Sequence, residues 1–297
     1  MTRPRPDAPQ SSVSIPPLPG WITAGPQQTL AQAAFRSGAA LAHLHLVLGQ
    51  AAVPQALWRD RLALAAAESC VRITGRREGA SALRDALHLT RPGDHPGPAG
   101  AILRQWSRAV ARPVSALHQG AEIDDLPAEW IAACLEEVAT GNPVDRAAQV
   151  VESLLAENPR AETAALILAD AVLAGSLGWH HLLPVLSLAL KPRDLRQRGD
   201  DLALSCHRAI VAGAGQAVPL AADLARRAAR MRIVVPKLRA KGAGRAVDLF
   251  LSRDALAPSA LAAFMSDRAT RRLCDRLVDL GAVRELTGRD TFRLYGL

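Results

Sequence analysis

Ser266-Asp267-Arg268-Ala269-Thr270-Arg271-Arg272-Leu273-Cys274-Asp275-Arg276-Leu277-Val278-Asp279-Leu280-Gly281 is the stretch on which the reading of the fold turns. A serine followed by an aspartate opens a helix well: the hydroxyl can accept a free N–H of the first turn, and the carboxylate faces the positive end of the helix dipole. Ala269, Leu273, Leu277 and Leu280 recur every three or four residues as one apolar stripe, with Arg268, Arg271, Arg272 and Arg276 off it. Gly281 stops the helix.

Immediately upstream, Pro258 suits the first turn of a short helix whose inward face is Leu261 and Phe264, and Met265-Ser266 makes the turn between the two helices. Downstream, Val283 to Leu286 and Thr291 to Tyr295 are short runs around the turn-forming Thr287-Gly288-Arg289-Asp290. In the second run, alternation predicts Phe292 and Leu294 on one face. Helix, turn, helix and hairpin in this order predict a winged helix-turn-helix over 254–297. Its reading helix would present Arg268, Thr270, Arg271 and Arg272 to a DNA groove, with Arg289 at the wing tip on backbone phosphate.

The charge balance agrees with that placement. The chain has 297 residues and a formal charge of +8. Residues 219–297 hold 16 basic and 8 acidic groups, so the first 218 residues are neutral, with 20 of each. Excess positive charge gathered in one segment is what phosphate neutralisation requires. Within it Lys237, Arg239, Lys241 and Arg245 belong to a band free of acids between Asp223 and Asp248, suited to lining a DNA backbone. Lys241-Gly242-Ala243-Gly244-Arg245 lacks the spacing of a phosphate-binding loop and reads as a turn.

The rest of the chain predicts an all-α protein. Aromatic residues make up only 3% of the sequence, which leaves the core to Leu, Ala and Val, a palette that favours helices. Six prolines before residue 20 imply a disordered arm over 1–20. A body of about eight helices follows over 21–215, including Thr29 to Leu48, Gln55 to Ile73, Glu78 to Leu89, a helix opened by Pro127 beyond the acidic Glu122, Asp124 and Asp125, and two opened by Asn142-Pro143 and Asn158-Pro159. Another apolar helix is expected to end near Leu190. Gly213-Ala214-Gly215 marks the expected boundary with a basic helical connector over 216–253, begun by Pro219.

Chemistry is sparse. Arg84, Asp85, His88, Arg91, Asp94 and His95 form the polar constellation of the body, with Arg84, His88 and Arg91 at helical spacing; a bound small anion or a satisfied proline-rich turn would each account for it. His43 and His45 point to different faces of a helix, and neither they nor His180-His181 suit a metal. No metal-ligand spacing, cofactor motif or nucleophile motif is present. Cys70, Cys134, Cys206 and Cys274 are spread singly on apolar patterns, as expected of reduced core thiols. No apolar run approaches membrane-spanning length and the proline-rich N-terminus does not resemble a secretion signal, so a cytoplasmic location is expected.

Several motifs also carry a family resemblance: Gly75-Arg76-Arg77-Glu78, Ala82-Leu83-Arg84-Asp85-Ala86, Arg91-Pro92-Gly93-Asp94, Pro96-Gly97-Pro98-Ala99-Gly100, Pro236-Lys237-Leu238-Arg239-Ala240-Lys241-Gly242-Ala243-Gly244, and the ending Leu280 to Gly296. Together they resemble an uncharacterised bacterial family, domain of unknown function 1403, found mainly in alphaproteobacteria and often on large plasmids. That resemblance covers nearly the whole chain and implies no activity and no catalytic residues. The ending is also similar to the tails of plasmid-borne helix-turn-helix proteins. The leading expectation is a double-stranded DNA-binding, transcription-regulator-like protein whose body dimerises or senses a partner, without cofactor or membrane. Its rivals are a protein-interaction scaffold and a small-anion receptor or enzyme at Arg84, His88 and Arg91.

Overall fold

A computed structural model describes residues 14–26, 28–91, 93–118 and 141–297. The acidic patch at Glu122, Asp124 and Asp125, the helix expected from Pro127, Cys134 and most of the N-terminal arm lie outside the described residues. Where the end of the arm is described it is laid on the body: Ile15 is buried, and the carbonyl of Pro16 lies 3.0 Å from His43 Nε2.

Helices build the described chain: α1 Gly20–Thr23, α2 Leu30–Leu48, α3 Gln55–Ile73, α4 Ala80–His88, α5 Gly97–Ala111, α6 Val114–His118, α7 Pro143–Glu157, α8 Glu162–Ser176, α9 Gly199–Val234, α10 Ala243–Phe250 and α11 Asp267–Asp279. Local signals set many of their starts. Thr29 caps α2 by accepting Gln32 N, and Asn142 caps α7 by accepting Val144 N at 2.9 Å and Asp145 N at 3.1 Å. α8 is apolar on every side and is accordingly buried on every side from Ala164 to Ala174. It is the central rod, packed closely on α7, with α3 and α5 touching it from the body.

Asp170 is the one ionisable side chain fully buried in that rod, and it shapes the next segment. Its carboxylate accepts Leu186 N at 3.0 Å, Ser187 N at 3.4 Å and Ser187 Oγ at 2.6 Å. These bonds hold residues 182–190 as turns against α8, and the helix expected to end near Leu190 does not form. Backbone donors that a helix would use internally are directed to the carboxylate instead.

A second correction concerns α9. No break occurs at Gly213-Ala214-Gly215: the helix runs 36 residues, from Gly199 through Pro219 to Val234, about 54 Å at 1.5 Å per residue. Gly213 is a point of contact. A Cβ there would collide with the carbonyl oxygen of Val185, so glycine lets the 182–190 segment lie directly on the helix backbone. Pro219 forfeits one intrahelical bond without ending the helix. The expected body and connector therefore share this rod.

Beyond α9 a 3₁₀ turn at Val235–Lys237 leads to α10, and Leu256 then bridges to Tyr295 with mutual backbone hydrogen bonds of 2.8 and 2.9 Å. A 3₁₀ turn at Pro258–Leu261 precedes α11, which Ser266 caps from Ala269 N as expected. Gly281, at φ +63°, closes α11 while Ala282 N bonds back to Leu277 O at 2.9 Å. The hairpin is smaller than its sequence suggests: β1 Arg284–Glu285 pairs antiparallel with β2 Tyr295–Gly296, Arg284 opposite Gly296 and Glu285 opposite Tyr295. Phe292, at φ 55°, turns the chain out of strand geometry. It is 72% exposed while Leu294 is fully buried, so the two do not share a face. The hydrophobic cluster is continuous from Ile15 through the body to Leu277, Val283 and Tyr295.

Candidate nucleic-acid interface and its joint to the body

α11 buries Thr270, Leu273, Cys274 and Leu277 and exposes Arg268, Arg271, Arg272 and Arg276. The stripe is rotated slightly from the expected one. Thr270 is a correction: it is 1% exposed, with its hydroxyl unpaired among the described residues, so it packs inward and does not face a groove. No ion pair engages the four arginines among the described residues, whereas Arg226 and Arg227 are both paired with Asp223, at 3.1 and 2.7 Å.

The loop after α9 lies beside the entrance of this helix. Lys237, Arg239 and Lys241 are exposed. Gly242, at φ +91°, is pressed against the turn before α11: a Cβ on it would lie 3.0 Å from Phe264 Cδ2 and 3.2 Å from Met265 Cγ. Arg245 stacks its guanidinium 4.7 Å above the Phe264 ring. Phe264 thus ties Gly242, next to Lys241, and Arg245 to the turn before α11, the helix that carries Arg268, and the two basic stretches become neighbours.

The polar constellation of the body has a different role. Asp254, 6% exposed, receives Arg84 as a two-point fork, Nε to Oδ2 at 2.6 Å and Nη2 to Oδ1 at 3.0 Å, and it also pairs with Arg61. Its own N–H donates to Asp60 Oδ2 at 2.8 Å. Arg61 Nη2 further donates to the carbonyls of Asp254 and Leu297, both at 3.4 Å. Asp85 pairs with Arg289. Burial pushes the Asp60 carboxyl above its usual range and lowers Arg61. These contacts clamp the C-terminal residues onto α3 and α4.

Arg84 is therefore not free for a small anion. Burial also holds His88 below the ordinary histidine range, with Asp254 opposing that shift, so His88 offers no cation at neutral pH. Arg91 and Asp94 are exposed in a turn closed by Asp94 N to Arg91 O at 3.0 Å, and His95 Nδ1 accepts Gly97 N at 3.0 Å. Nor is Arg289 an outstretched wing tip, since its guanidinium rests on Asp85. Sequence alone does not mark Asp60, Arg61 and Asp254 as a unit: the first two sit in the short charged run Arg59-Asp60-Arg61 near the start of α3, and their partner follows nearly two hundred residues later. His43 and His45 do take different neighbours, Pro16 O and, at 3.1 Å, Trp179 Nε1.

Fold and surface together define a mostly helical chain whose helix α11 carries arginines without ion-pair partners among the described residues, the segment ahead of it being clamped to the body through Asp254. Over residues 7–297 it matches the family model described as "Protein of unknown function (DUF1403)", and it belongs to that family. No curated protein and no solved structure matches it. No described helix is long and apolar enough to cross a membrane.

Proposed function

We propose that the chain binds double-stranded DNA, with α11 as the reading helix of a winged helix-turn-helix and the 237–245 loop on the flanking backbone. The observation that supports this most is the row Arg268, Arg271, Arg272 and Arg276, exposed and without acidic partners among the described residues, next to Lys241 and Arg245. Arginines held on one helix face can fork onto guanine edges, and neighbouring loop cations add the sequence-independent term. α10, the Leu256 bridge, the 3₁₀ turn at 258–261, α11 and the two-residue ladder follow one another in the order such a module needs. The ladder is short, and its connecting loop is turned to the body through Arg289. Reading would thus rest on the helix.

The test is titration of the full chain with a random duplex pool, followed by selection of bound sequences. Arg271→Ala or Arg272→Ala is expected to cost about 1–3 kcal/mol on the selected site and to relax the preference at one base position. A folded protein that shows no salt-dependent binding near 50 mM salt would remove this reading and make a protein partner the better occupant of the same face.

A further inference from the structure

α2, α7 and α9 leave between them a largely apolar cavity of about 660 Å³, within the range of small-molecule sites. Leu41, Val144 and Leu177 supply its apolar wall, and at one point Ser37 and His207 line it together. These two are 1% and 2% exposed. Ser37 Oγ lies 2.7 Å from His207 Nδ1, and on the far side of the ring His207 Nε2 lies 3.3 Å from Asp145 Oδ1. Asp145 is itself fixed: its Oδ2 accepts Asn142 Nδ2 at 2.5 Å, while Asn142 Oδ1 caps α7.

The proton inventory of the three groups sets their roles. Burial holds His207 below the ordinary histidine range, so at neutral pH the ring has a single N–H. A carboxylate oxygen can only accept, which places that proton on Nε2 and leaves the Nδ1 lone pair facing Ser37. Ser37 has one proton and two acceptors in reach, His207 Nδ1 at 2.7 Å and the Ala34 carbonyl at 3.0 Å. The shorter contact is the one to the imidazole. A hydroxyl donating to a neutral imidazole, whose other nitrogen donates to a fixed carboxylate, is an activated nucleophile.

We infer that Ser37, His207 and Asp145 are the nucleophile, the general base and the positioning carboxylate of an acyl-transfer site that accepts esters of an apolar acyl group. As Ser37 Oγ bonds to the ester carbonyl carbon, its proton passes to His207 Nδ1. The C–O bond to the alcohol then breaks, and the alcohol leaves with that proton. Water reverses the sequence, giving its proton to His207 and releasing the acid and free Ser37. The acyl chain lies along Leu41, Val144 and Leu177. Val144 N and Asp145 N are already held by Asn142, so only the dipole of α7 is left at that lip to meet the developing oxyanion. Each missing donor costs about 10²- to 10³-fold in rate, so acylation is the step to measure.

The experiment treats the full chain with an alkyl fluorophosphonate, in which Ser37 Oγ bonds to phosphorus as fluoride leaves and His207 takes the proton. The expected result by intact-mass and peptide spectrometry is one adduct per chain, on Ser37, absent in Ser37→Ala. His207→Gln is expected to slow it by about 10²-fold or more, and the rate should decline with acid around a midpoint below the ordinary histidine value. Gly38 has open space at its Cβ position, so Gly38→Leu should stay folded, fill the cavity and slow long-chain probes more than short ones. Helical circular dichroism and a denaturation midpoint accompany each variant. An unlabelled folded wild type, an adduct elsewhere than Ser37, or a rate indifferent to both His207→Gln and Gly38→Leu would overturn the assignment and leave the three groups as a bonded tie between helices.

Discussion

Two buried carboxylates do different work at the residue scale. Burial pushes the Asp170 carboxyl up to about 7, against the hydrogen bonds from Ser187 and Leu186 that favour the anion. A carboxyl raised on folding contributes fully below its unfolded value near 3.8 and loses that contribution as pH rises toward 7. The shift corresponds to about 4 kcal/mol over that window. His207 acts oppositely, since its lowered value weakens the fold as pH falls through the ordinary histidine range. The two are separated by comparison: the difference in urea midpoint between wild type and Asp170→Asn should change steadily from pH 4 to 7 and then level. A difference constant across that range would show that Asp170 is ionised throughout. Asp254 holds charge on charge. Asp254→Ala would leave Arg61 and Arg84 part-buried without a counter-ion, an expected loss of about 3–5 kcal/mol, whereas Arg289→Ala, at an exposed pair, should cost about 0–1 kcal/mol. Urea titration of both variants checks the contrast.

At the scale of elements, two glycines two positions apart in α9 carry opposite predictions. Gly213→Ala drives a methyl into the Val185 carbonyl and should destabilise by about 1–3 kcal/mol. Gly215→Ala meets nothing closer than Thr23 Cγ2 at 3.9 Å and should stabilise by up to about 1 kcal/mol through helix propensity. Thermal denaturation of the pair distinguishes a packing glycine from a breaking one, and equal effects would restore the break. Here the limit of sequence reading is visible. α3, the Asn142 cap and the Ser266 cap were legible because a few adjacent residues determine them. What Gly213 touches, where Asp170 sends the 182–190 segment, and why Thr270 turns inward depend on residues brought together by the fold. The same divide runs through the sites. Arg84 and Asp85 stand out as a cluster, but their partners Asp254 and Arg289 lie 170 and 204 positions away. Ser37 sits on an ordinary helical stripe, 170 positions from His207, with no local motif to mark it.

On the scale of the whole molecule, the clamp bears on how the proposed DNA contact would be divided between helix and hairpin. The hairpin connection is tied to α4 through Arg289 and Asp85, while α11 and the 237–245 loop are tied to each other through Phe264. A wing-led module would use Arg289 on phosphate; a helix-led one would use Lys241. The salt dependence of binding separates them, because each phosphate contact removed makes the slope of log K against log salt shallower by about 0.9. Lys241→Ala in the full chain should therefore lose close to one unit of slope and weaken all sequences alike. Arg289→Ala should leave the slope unchanged, its guanidinium already being neutralised by Asp85. The outcome that defeats this geometry is the reverse pair: a shallower slope for Arg289→Ala with none for Lys241→Ala would mean that the clamp opens on binding and that the hairpin, released from α4, takes the phosphate.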